Sequence, residues 1–509
     1  MLLSNLSADY LAGDGSQYLS VTDQLLRGEG ATTRTLVYMS QIEQGVPAVQ
    51  TIWPPGLPLV AAFVASVFSL EAVDALGVVL VSGHVSTALL LLWVLAIYAK
   101  RPELGAVFGV AWMAYWGAWP FSIMGMSETV FVALITGAAT ALAFSRKDGV
   151  GWYAALVLAA LLMAAAALVR YQVLPFSIAM SVAVLVARMR TENFVRAFFD
   201  AGMAAFPAAL VTVGLAIRNI NVVGSLRGGP EPAAGFDPGE VALNFAKAVY
   251  DLLGMEAGSL ARACVVIGIS AFMVLEIRLW RGRLAHIENP MEWFSPFILF
   301  CILGTAFNIA FAILIGLSST AFDLPPRYLL PSVPLVLFIC GIALPTFPKF
   351  QEMDWVAKIS SATAIVAIIL LYLSNTIWEL RWFNKVAIPL RSSRAIDVEY
   401  KGELLEDVLR RLAMDKSPLM SNQPQGLYAV IRQPTVGVAD SNFWADDPDL
   451  FEIAQSAGAE YLIAFPDAPI RGNVSNDYVL QFVAEDPSNL TELYRTDLIR
   501  IYQFSDFDK

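Results

Sequence analysis

The sequence is poor in charged residues, in cysteine and in basic side chains, and each shortage excludes a class of protein. Charged residues make up 15% of the 509 residues, whereas a soluble domain has about a quarter, so a soluble enzyme is excluded. Lys and Arg number 33 against 44 Asp and Glu, which leaves no overall basic surface for nucleic acid. Cys264, Cys301 and Cys340 lie apart in apolar stretches, a pattern that indicates neither a disulfide framework nor a zinc site.

Long apolar runs are what the sequence has instead. Hydrophobic residues form 57% of the chain and the mean hydropathy is +0.61, which predicts an all-α polytopic membrane protein with about 10 to 11 transmembrane helices. The run Leu57–Leu70 is shorter than a span and favours a re-entrant or interfacial helix. The ten runs predicted to span are Val73–Tyr98, Gly105–Phe121, Thr129–Phe144, Trp152–Leu168, Leu174–Val186, Phe198–Ile217, Ala263–Leu279, Phe294–Leu317, Tyr328–Phe347 and Ile359–Trp378.

Basic residues are concentrated in alternate connections between these runs. Because Lys and Arg favour the cytoplasmic side, those connections are predicted to be cytoplasmic, and both termini then face outward. We therefore expect a multi-pass protein of the inner (cytoplasmic) membrane whose N-terminal loop and C-terminal domain are extracytoplasmic. The basic residues concerned are Lys100, Arg101, Arg146, Lys147, Arg188, Arg190, Arg196, Arg278, Arg281, Arg283, Lys349 and Lys358.

Composition divides the chain into three predicted domains. Residues 1–56 form a first outer loop, 57–385 a transmembrane helical domain, and 386–509 an outward-facing soluble α/β domain with 20 Asp and Glu against 11 Lys and Arg. Alternating runs such as Tyr461–Phe465 and Leu498–Tyr502 predict strands in the last domain. Residues 1–12 lack the features of a signal peptide, so we expect a transmembrane helix upstream of the given sequence.

Short polar motifs lie at the predicted outer ends of the helices. Asp14 stands between two glycines with Tyr18 four residues later, and Ser127-Glu128 opens one helix while Arg170-Tyr171 closes another. The other motifs are Pro54-Pro55-Gly56-Leu57-Pro58 before the first apolar helix, Arg218-Asn219 at the predicted start of a long loop, Pro326-Arg327-Tyr328-Leu329-Leu330-Pro331 at a late helix start, and Ser421-Asn422-Gln423-Pro424 with Leu427-Tyr428 in the outer domain.

Together and in this order, the motifs resemble those of GT-C glycosyltransferases, in particular the bacterial branch that includes protein O-mannosyltransferases and the lipid A aminoarabinose and galacturonic acid transferases. The resemblance implies a GT-C-like fold. It also implies an inverting transferase that moves a sugar from a polyprenyl-phosphate carrier to a lipid, glycan or protein acceptor at the outer membrane surface. Membrane lipids are the remaining expected partners, and nucleic acid is not one.

The resemblance also suggests roles for individual residues. A carboxylate that takes the proton of the attacking hydroxyl contributes about 10² to 10⁴ in rate, and Asp14 is the candidate base. Guanidinium groups stabilise the departing lipid phosphate, which favours Arg327, with Arg170 and Arg218 in support. The remaining candidate substrate-binding residues are Tyr18, Glu128 and Tyr328. Several family members have a second acid where this chain has Gly15, which leaves two alternatives: Asp9 substitutes for it, or one acid suffices. No cofactor is predicted, and a divalent metal stays open because no ligand spacing is readable.

The same residues also suit structural roles, and the composition also fits other functions. Asp14 in a Gly-rich turn is also a backbone residue, Glu128 also suits a helix N-terminus, and Arg327 also anchors a helix end at the headgroups. Composition fits a multi-pass secondary transporter or a flippase of a lipid-linked sugar equally well. Transporters place ionisable groups near the bilayer midplane, whereas here they cluster at helix ends. A noncatalytic scaffold with an acidic outer domain is the third hypothesis.

Overall fold

The structure is a computed structural model. It describes residues 14–36, 39–100, 102–113, 125–145, 149–226, 238–252, 295–318, 326–343, 417–421, 427–428, 431–437, 450–464, 490–495 and 499–505, together with single residues at 355, 359 and 363. Two of the predicted spans, Ala263–Leu279 and nearly all of Ile359–Trp378, lie outside this part of the chain, as does the second half of Gly105–Phe121.

Apolar helices dominate the described chain. Four are long and apolar enough to cross a membrane: Ala72–Tyr98, Val150–Val169, Phe194–Val223 and Pro296–Leu317. The helices of the apolar domain are α3 (Gly56–Phe68), α4 (Ala72–Trp93, continued as a π-helical turn Val94–Tyr98), α5 (Pro102–Met113), α6 (Glu128–Ala143), α7 (Val150–Val169), α8 (Val173–Arg188), α9 (Phe194–Val223), α10 (Pro238–Leu252), α11 (Pro296–Ser318) and α12 (Ser332–Ala343). These helices confirm the predicted polytopic all-α architecture.

Two helix boundaries differ from the sequence prediction. The run from Tyr328 begins as a 3-10 turn, Pro326–Tyr328, and the helix starts only at Ser332. The carbonyl oxygen of Tyr328 accepts hydrogen bonds from two side chains rather than from a helical N–H. Arg218 does not begin a loop, because α9 continues to Val223 and ends at Gly224 with φ of 70°.

Small residues bring the helices close together. The buried core of α6, α7 and α8 is rich in alanine and includes Ala138, Ala159 and Ala179, each without exposed surface. A side chain at Gly83 would meet the backbone of Thr129 at 3.0 Å, so α4 and α6 are in near backbone contact. Close approach through small residues is the usual way helices associate in lipid, where apolar burial provides little driving force.

The residues from Asp14 to Pro55, which the sequence predicts to be outer and which we call the first outer segment, are more ordered than a loop. It contains α1 (Asp14–Leu26), the short strands β1 (Thr32–Thr33), β2 (Thr35–Leu36) and β3 (Ala48–Val49), and a helical turn α2 (Met39–Ile42). Buried polar residues cover much of α1, among them Gln17, Ser20 and Gln24, each with no exposed surface. Buried polar side chains are unusual and generally hydrogen-bonded, which marks α1 as more than a linker.

The C-terminal strands form one sheet with the first outer segment. The strand order is β2, β5 (Thr435–Gly437), β4 (Leu419–Ser421), β6 (Tyr461–Ala464), β8 (Arg500–Phe504) and β7 (Leu490–Arg495). The first four strands are parallel and the last two pairings are antiparallel. A further helix, α13 (Leu450–Ala457), lies in the chain between β5 and β6, two parallel strands that flank β4 in the sheet. Leu36 and Ile42 are buried in the same apolar core as Met420 and Val436.

Candidate active site

Asp14 is the first residue of α1 rather than part of a turn. The positive end of the helix dipole favours an acid there. Its carboxylate accepts a hydrogen bond from Arg327 Nη1 at 3.1 Å, and the two side chains are 17% and 18% exposed. Residues 313 positions apart are thus joined in a pair that solvent still reaches.

A second ion pair lies behind the first and is sealed from solvent. Arg170 Nη1 lies 2.5 Å from Glu128 Oε1, and these side chains are 7% and 1% exposed. Arg327 Nη1 is 3.9 Å from the same Glu128 oxygen. One buried carboxylate therefore lies beside two guanidinium groups. Its negative charge offsets the repulsion between the two arginines.

Helix ends explain why these residues meet. Glu128 opens α6 after Ser127, and Arg170 directly follows the last residue of α7. An acid at a helix N-terminus and a base at a helix C-terminus both interact favourably with the helix dipoles. Ser127 Oγ also accepts from Arg170 Nη1 at 3.2 Å, which fixes the guanidinium against the start of α6.

Two tyrosines complete the cluster. Tyr18 lies one helical turn after Asp14 on the same face of α1, and its hydroxyl donates to Ser127 Oγ at 3.1 Å. The Tyr328 ring centroid is 5.7 Å from Arg327 Cζ and 6.0 Å from Arg170 Cζ, within the range of a cation–π contact. Six of the seven residues selected from the sequence are therefore brought together: Asp14, Tyr18, Glu128, Arg170, Arg327 and Tyr328.

Arg218 lies elsewhere in the contact network. Its guanidinium donates to the carbonyl oxygen of Gln50 at 2.5 Å. The neighbouring Asn219 donates to the hydroxyl of Tyr171 at 2.9 Å, and that hydroxyl donates to the carbonyl oxygen of Thr51. These hydrogen bonds attach the end of α9 to the first outer segment. Arg218 therefore makes a structural contact and does not lie beside Asp14 with the other predicted site residues.

The sequence motifs did not indicate the side chains that hold the 3-10 turn Pro326–Tyr328, which contains Arg327. Gln172 Nε2 donates to the Tyr328 carbonyl oxygen at 2.5 Å, and Asn308 Nδ2 donates to the same oxygen at 2.8 Å. Asn308 Nδ2 is also 2.9 Å from Ser332 Oγ. A buried amide in an otherwise apolar helix is the signal that could have identified Asn308, because polar groups within such segments are costly and usually functional.

Burial controls the protonation of this cluster. Burial raises the pKa of Asp14 above its ordinary value of 3.8 despite the opposing charge of Arg327, and the charge of Glu128 adds to the rise. Burial also raises the pKa of Tyr18 and of Tyr328, which keep their protons at neutral pH. Burial opposes the charge of Arg327, but the nearby Asp14 and Glu128 carboxylates outweigh it and raise the pKa of that guanidinium.

The arrangement is suited to an anionic ligand. Two acids and two arginines leave the cluster formally neutral, and the Nε atom of Arg327 is buried with no hydrogen-bond partner in the described chain. Because that atom is sealed from solvent, a phosphate oxygen would contact the exposed part of the Arg327 side chain, which is 18% exposed as a whole. Among the described residues, no group of three His, Cys, Asp or Glu side chains is placed to hold a metal ion.

Solved structures with the same fold are known, although no family model and no curated protein matches the sequence. Crystal structures of ArnT from Cupriavidus metallidurans, apo and bound to undecaprenyl phosphate, are similar with a TM-score of 0.58 at 15% and 13% identity, covering 98% of this chain and 95% of that one. The oligosaccharyltransferase AglB from Archaeoglobus fulgidus is similar with a TM-score of 0.50 and 10% identity, covering 98% of this chain and 71% of AglB. This likeness confirms the predicted GT-C fold.

Proposed function

We propose that the protein is a GT-C membrane glycosyltransferase that moves a sugar from a polyprenyl-phosphate carrier to an acceptor hydroxyl. The observation that carries the proposal is the partly exposed pair of Asp14 and Arg327 in front of the sealed pair of Glu128 and Arg170. Two structures of the same fold were solved with undecaprenyl phosphate and dolichol phosphate bound, which supports a lipid-linked phosphate as the donor class.

Asp14 acts as general base in this mechanism. The acceptor oxygen forms a bond to the anomeric carbon while its proton passes to the Asp14 carboxylate, a step worth about 10² to 10⁴ in rate. The bond from that carbon to the carrier phosphate breaks, and the electron pair leaves on the phosphate oxygen. A single displacement of this kind inverts the anomeric configuration.

Arg327 and Arg170 stabilise the phosphate that leaves. Charge develops on the phosphate in the transition state, and fixed guanidinium donors are worth far more there than they would be in water. Arg327 is the closer contact, since its side chain is 18% exposed, whereas Arg170 supports it from a 7% exposed position. Glu128 fixes both arginines, and the hydroxyls of Tyr18 and Tyr328 line the sugar position.

The site is proposed to open toward the extracytoplasmic side of the inner membrane. Basic residues near the opposite helix ends, including Lys100, Arg190 and Arg196, support this orientation through the positive-inside rule. The acceptor is a lipid, glycan or protein at that surface. The sheet that joins residues 35–36 to the C-terminal strands is proposed to contribute to acceptor choice.

Sugar transfer from a synthetic polyprenyl-phosphate sugar, assayed in membranes that carry the wild type or Asp14→Asn, tests the proposal. The variant should lose about 10² to 10⁴ of the rate while its expression and detergent stability match the wild type. Asp74→Asn is the matched control, because Asp74 also lies in the first turn of a helix but is exposed.

The same experiment separates the other functions. Full activity in Asp14→Asn would eliminate the assigned base. A transporter or flippase would instead move the lipid-linked sugar across proteoliposome membranes without breaking its glycosidic bond, and a scaffold would do neither.

A further inference from the structure

The end of α1 away from Asp14 is attached to the C-terminal sheet domain. Asp23 Oδ2, in the last turn of α1, accepts from Arg432 Nη1 at 2.8 Å and from the Tyr428 hydroxyl at 3.0 Å. We call Asp23, Tyr428 and Arg432 the α1 latch. Asp23 is 19% and Arg432 29% exposed, so this pair is partly shielded from solvent screening.

Backbone contacts reinforce the latch on the same side of α1. Ser20 Oγ accepts from the N–H of Arg34 at 2.7 Å, and Thr35 in the next strand pairs with Thr435 of the C-terminal sheet. The N–H of Thr435 donates to the Arg34 carbonyl oxygen at 3.0 Å. The helix is thus tied to the sheet through both its side chains and the segment that follows it.

Two features indicate that the surrounding structure enforces the contact between the latch residues. Arg432 has φ of 55°, a left-handed conformation that is unfavourable for a residue with a side chain and persists only where the surroundings enforce it. Tyr428 is fully buried. Burial, together with the Asp23 charge, raises the pKa of Tyr428 to about 12, so its hydroxyl keeps the proton that it donates.

A helix transmits the position of one end to the other. Asp14 and Asp23 are nine residues apart in one uninterrupted helix, which corresponds to about 14 Å. The Asp14 end of α1 is held by the hydrogen bond from Arg327 to Asp14 and by the one from Tyr18 to Ser127. The Asp23 end is held by Arg432 of the C-terminal domain. A change in the latch would therefore tilt α1 and move the Asp14 carboxylate relative to Arg327.

We propose that Asp23, Arg432 and Tyr428 are positioning residues through which the C-terminal domain sets the location of Asp14 for sugar transfer. The inference rests on the proposed function and deepens it. It assigns the C-terminal domain a part in the rate of the chemical step, separate from any part in acceptor choice.

Steady-state kinetics on the full-length protein test this positioning role. The variants are Asp23→Ala, Arg432→Ala, the double variant, and the charge-exchanged variant Asp23→Arg with Arg432→Asp. Misplacing a catalytic group by about 1 Å costs up to roughly 100-fold, so each single variant should lose about 10- to 100-fold in kcat with the donor KM nearly unchanged. The double variant should lose no more than either single variant because both remove one interaction. The exchanged pair should recover part of the loss.

Glu492→Ala is the matched control, because it breaks the Arg495 ion pair on the same sheet, where the partners are 61% and 40% exposed, without touching α1. Its kcat should equal that of the wild type. Should Asp23→Ala be recovered only in unfolded form, Asp23→Asn takes its place, since the amide oxygen still accepts from Tyr428 while the charge is lost.

Hydrogen exchange in residues 14–26 separates failure of this inference from failure of the proposed function. Unchanged kcat and unchanged exchange in Asp23→Ala, beside a severe defect in Asp14→Asn, would overturn the latch and leave the transferase intact. If the wild type transfers no sugar, the exchange measurement alone decides: faster exchange at the Asp14 end of α1 in Asp23→Ala supports the coupling, and unchanged exchange refutes it.

Discussion

Two buried clusters of arginine and carboxylate lie at opposite ends of α7, and they differ in how completely they are closed. We name the clusters after the proposed orientation: the outer cluster contains Arg170, which follows the last residue of α7, and the inner cluster surrounds Trp152 in its first turn. Eighteen residues of helix separate them by about 27 Å, close to the roughly 30 Å thickness of a hydrocarbon core. The two clusters therefore lie about one hydrocarbon-core thickness apart along α7.

The inner cluster is local and sealed. Asp200 Oδ2 accepts from Arg188 Nε at 2.8 Å and from Trp152 Nε1 at 3.1 Å, and the Arg188 guanidinium lies 4.7 Å over the Trp152 ring. Arg188 and Asp200 are 4% and 0% exposed. These residues come from consecutive helices, α7 to α9, and the cluster fastens them to one another.

The outer cluster uses the same side-chain types but remains partly open. Its members are drawn from α1, α6, the end of α7 and the 3-10 turn before α12, and Asp14 and Arg327 stay 17% and 18% exposed. The degree of closure therefore separates a structural contact from a candidate site. A sealed ion pair contributes rigidity, whereas a pair that solvent reaches can exchange its partner for a ligand.

The largest expected effect on stability comes from breaking the inner cluster. Arg188→Met leaves Asp200 buried without its charge partner, which should cost about 3 to 5 kcal/mol in unfolding free energy, whereas Arg188→Met with Asp200→Leu should be nearly neutral. Thermal unfolding in detergent measures both. Arg196→Gln is the control, because its side chain is 47% exposed and its removal should leave the midpoint unchanged. Loss of transfer activity per folded molecule in the double variant would contradict a purely fastening role.

The next effect comes from removing the open arginine. Arg327→Gln should reduce kcat by about 10² to 10³ because a fixed donor to the leaving phosphate is lost. Arg327→Lys should be intermediate, since lysine keeps the charge but not the planar fork. Initial rates with a polyprenyl-phosphate sugar measure the series, and the exposed Arg495→Gln serves as control. Equal rates for the wild type and Arg327→Gln would remove Arg327 from the phosphate site.

The smallest expected effect is on pH dependence. Burial raises the pKa of Asp14 above 3.8. As the pH drops through that raised value the base becomes protonated and kcat/KM falls. The acidic limb of the measured profile of kcat/KM against pH should therefore lie above pH 3.8. The folded state also binds this proton more tightly than the unfolded state, so the contribution of Asp14 to stability declines as the pH rises through the same window. An acidic limb at or below 3.8 would exclude Asp14 as the titrating base.

Much of the fold was predictable because apolar runs of spanning length leave the chain few alternatives. Val73–Tyr98 and Trp152–Leu168 correspond to helices within one or two residues. Prediction failed where tertiary contacts compete with local pattern: two distant amides take the Tyr328 carbonyl out of a helix, and buried contacts allow α9 to continue through Arg218. Nothing in the local pattern indicated that residues 35–36 would join the sheet of the C-terminal strands.

The candidate site was predictable in its members but not in its geometry. Asp14, Glu128, Arg170 and Arg327 were selected because their motifs, taken together and in order, resemble those of GT-C glycosyltransferases. The α1 latch was not, because Asp23 in a polar helix carries no signal until Tyr428 and Arg432 are placed against it.

By itself the sequence determined that this chain is a membrane protein with ionisable groups at its helix ends, since the cost of placing charge in hydrocarbon is a property of each residue. The tertiary structure alone decided which groups meet. Asp14 lies beside Arg327, 313 positions away, and Arg218 does not, because such pairings are set by how close the packed helices approach, and no local pattern encodes that distance.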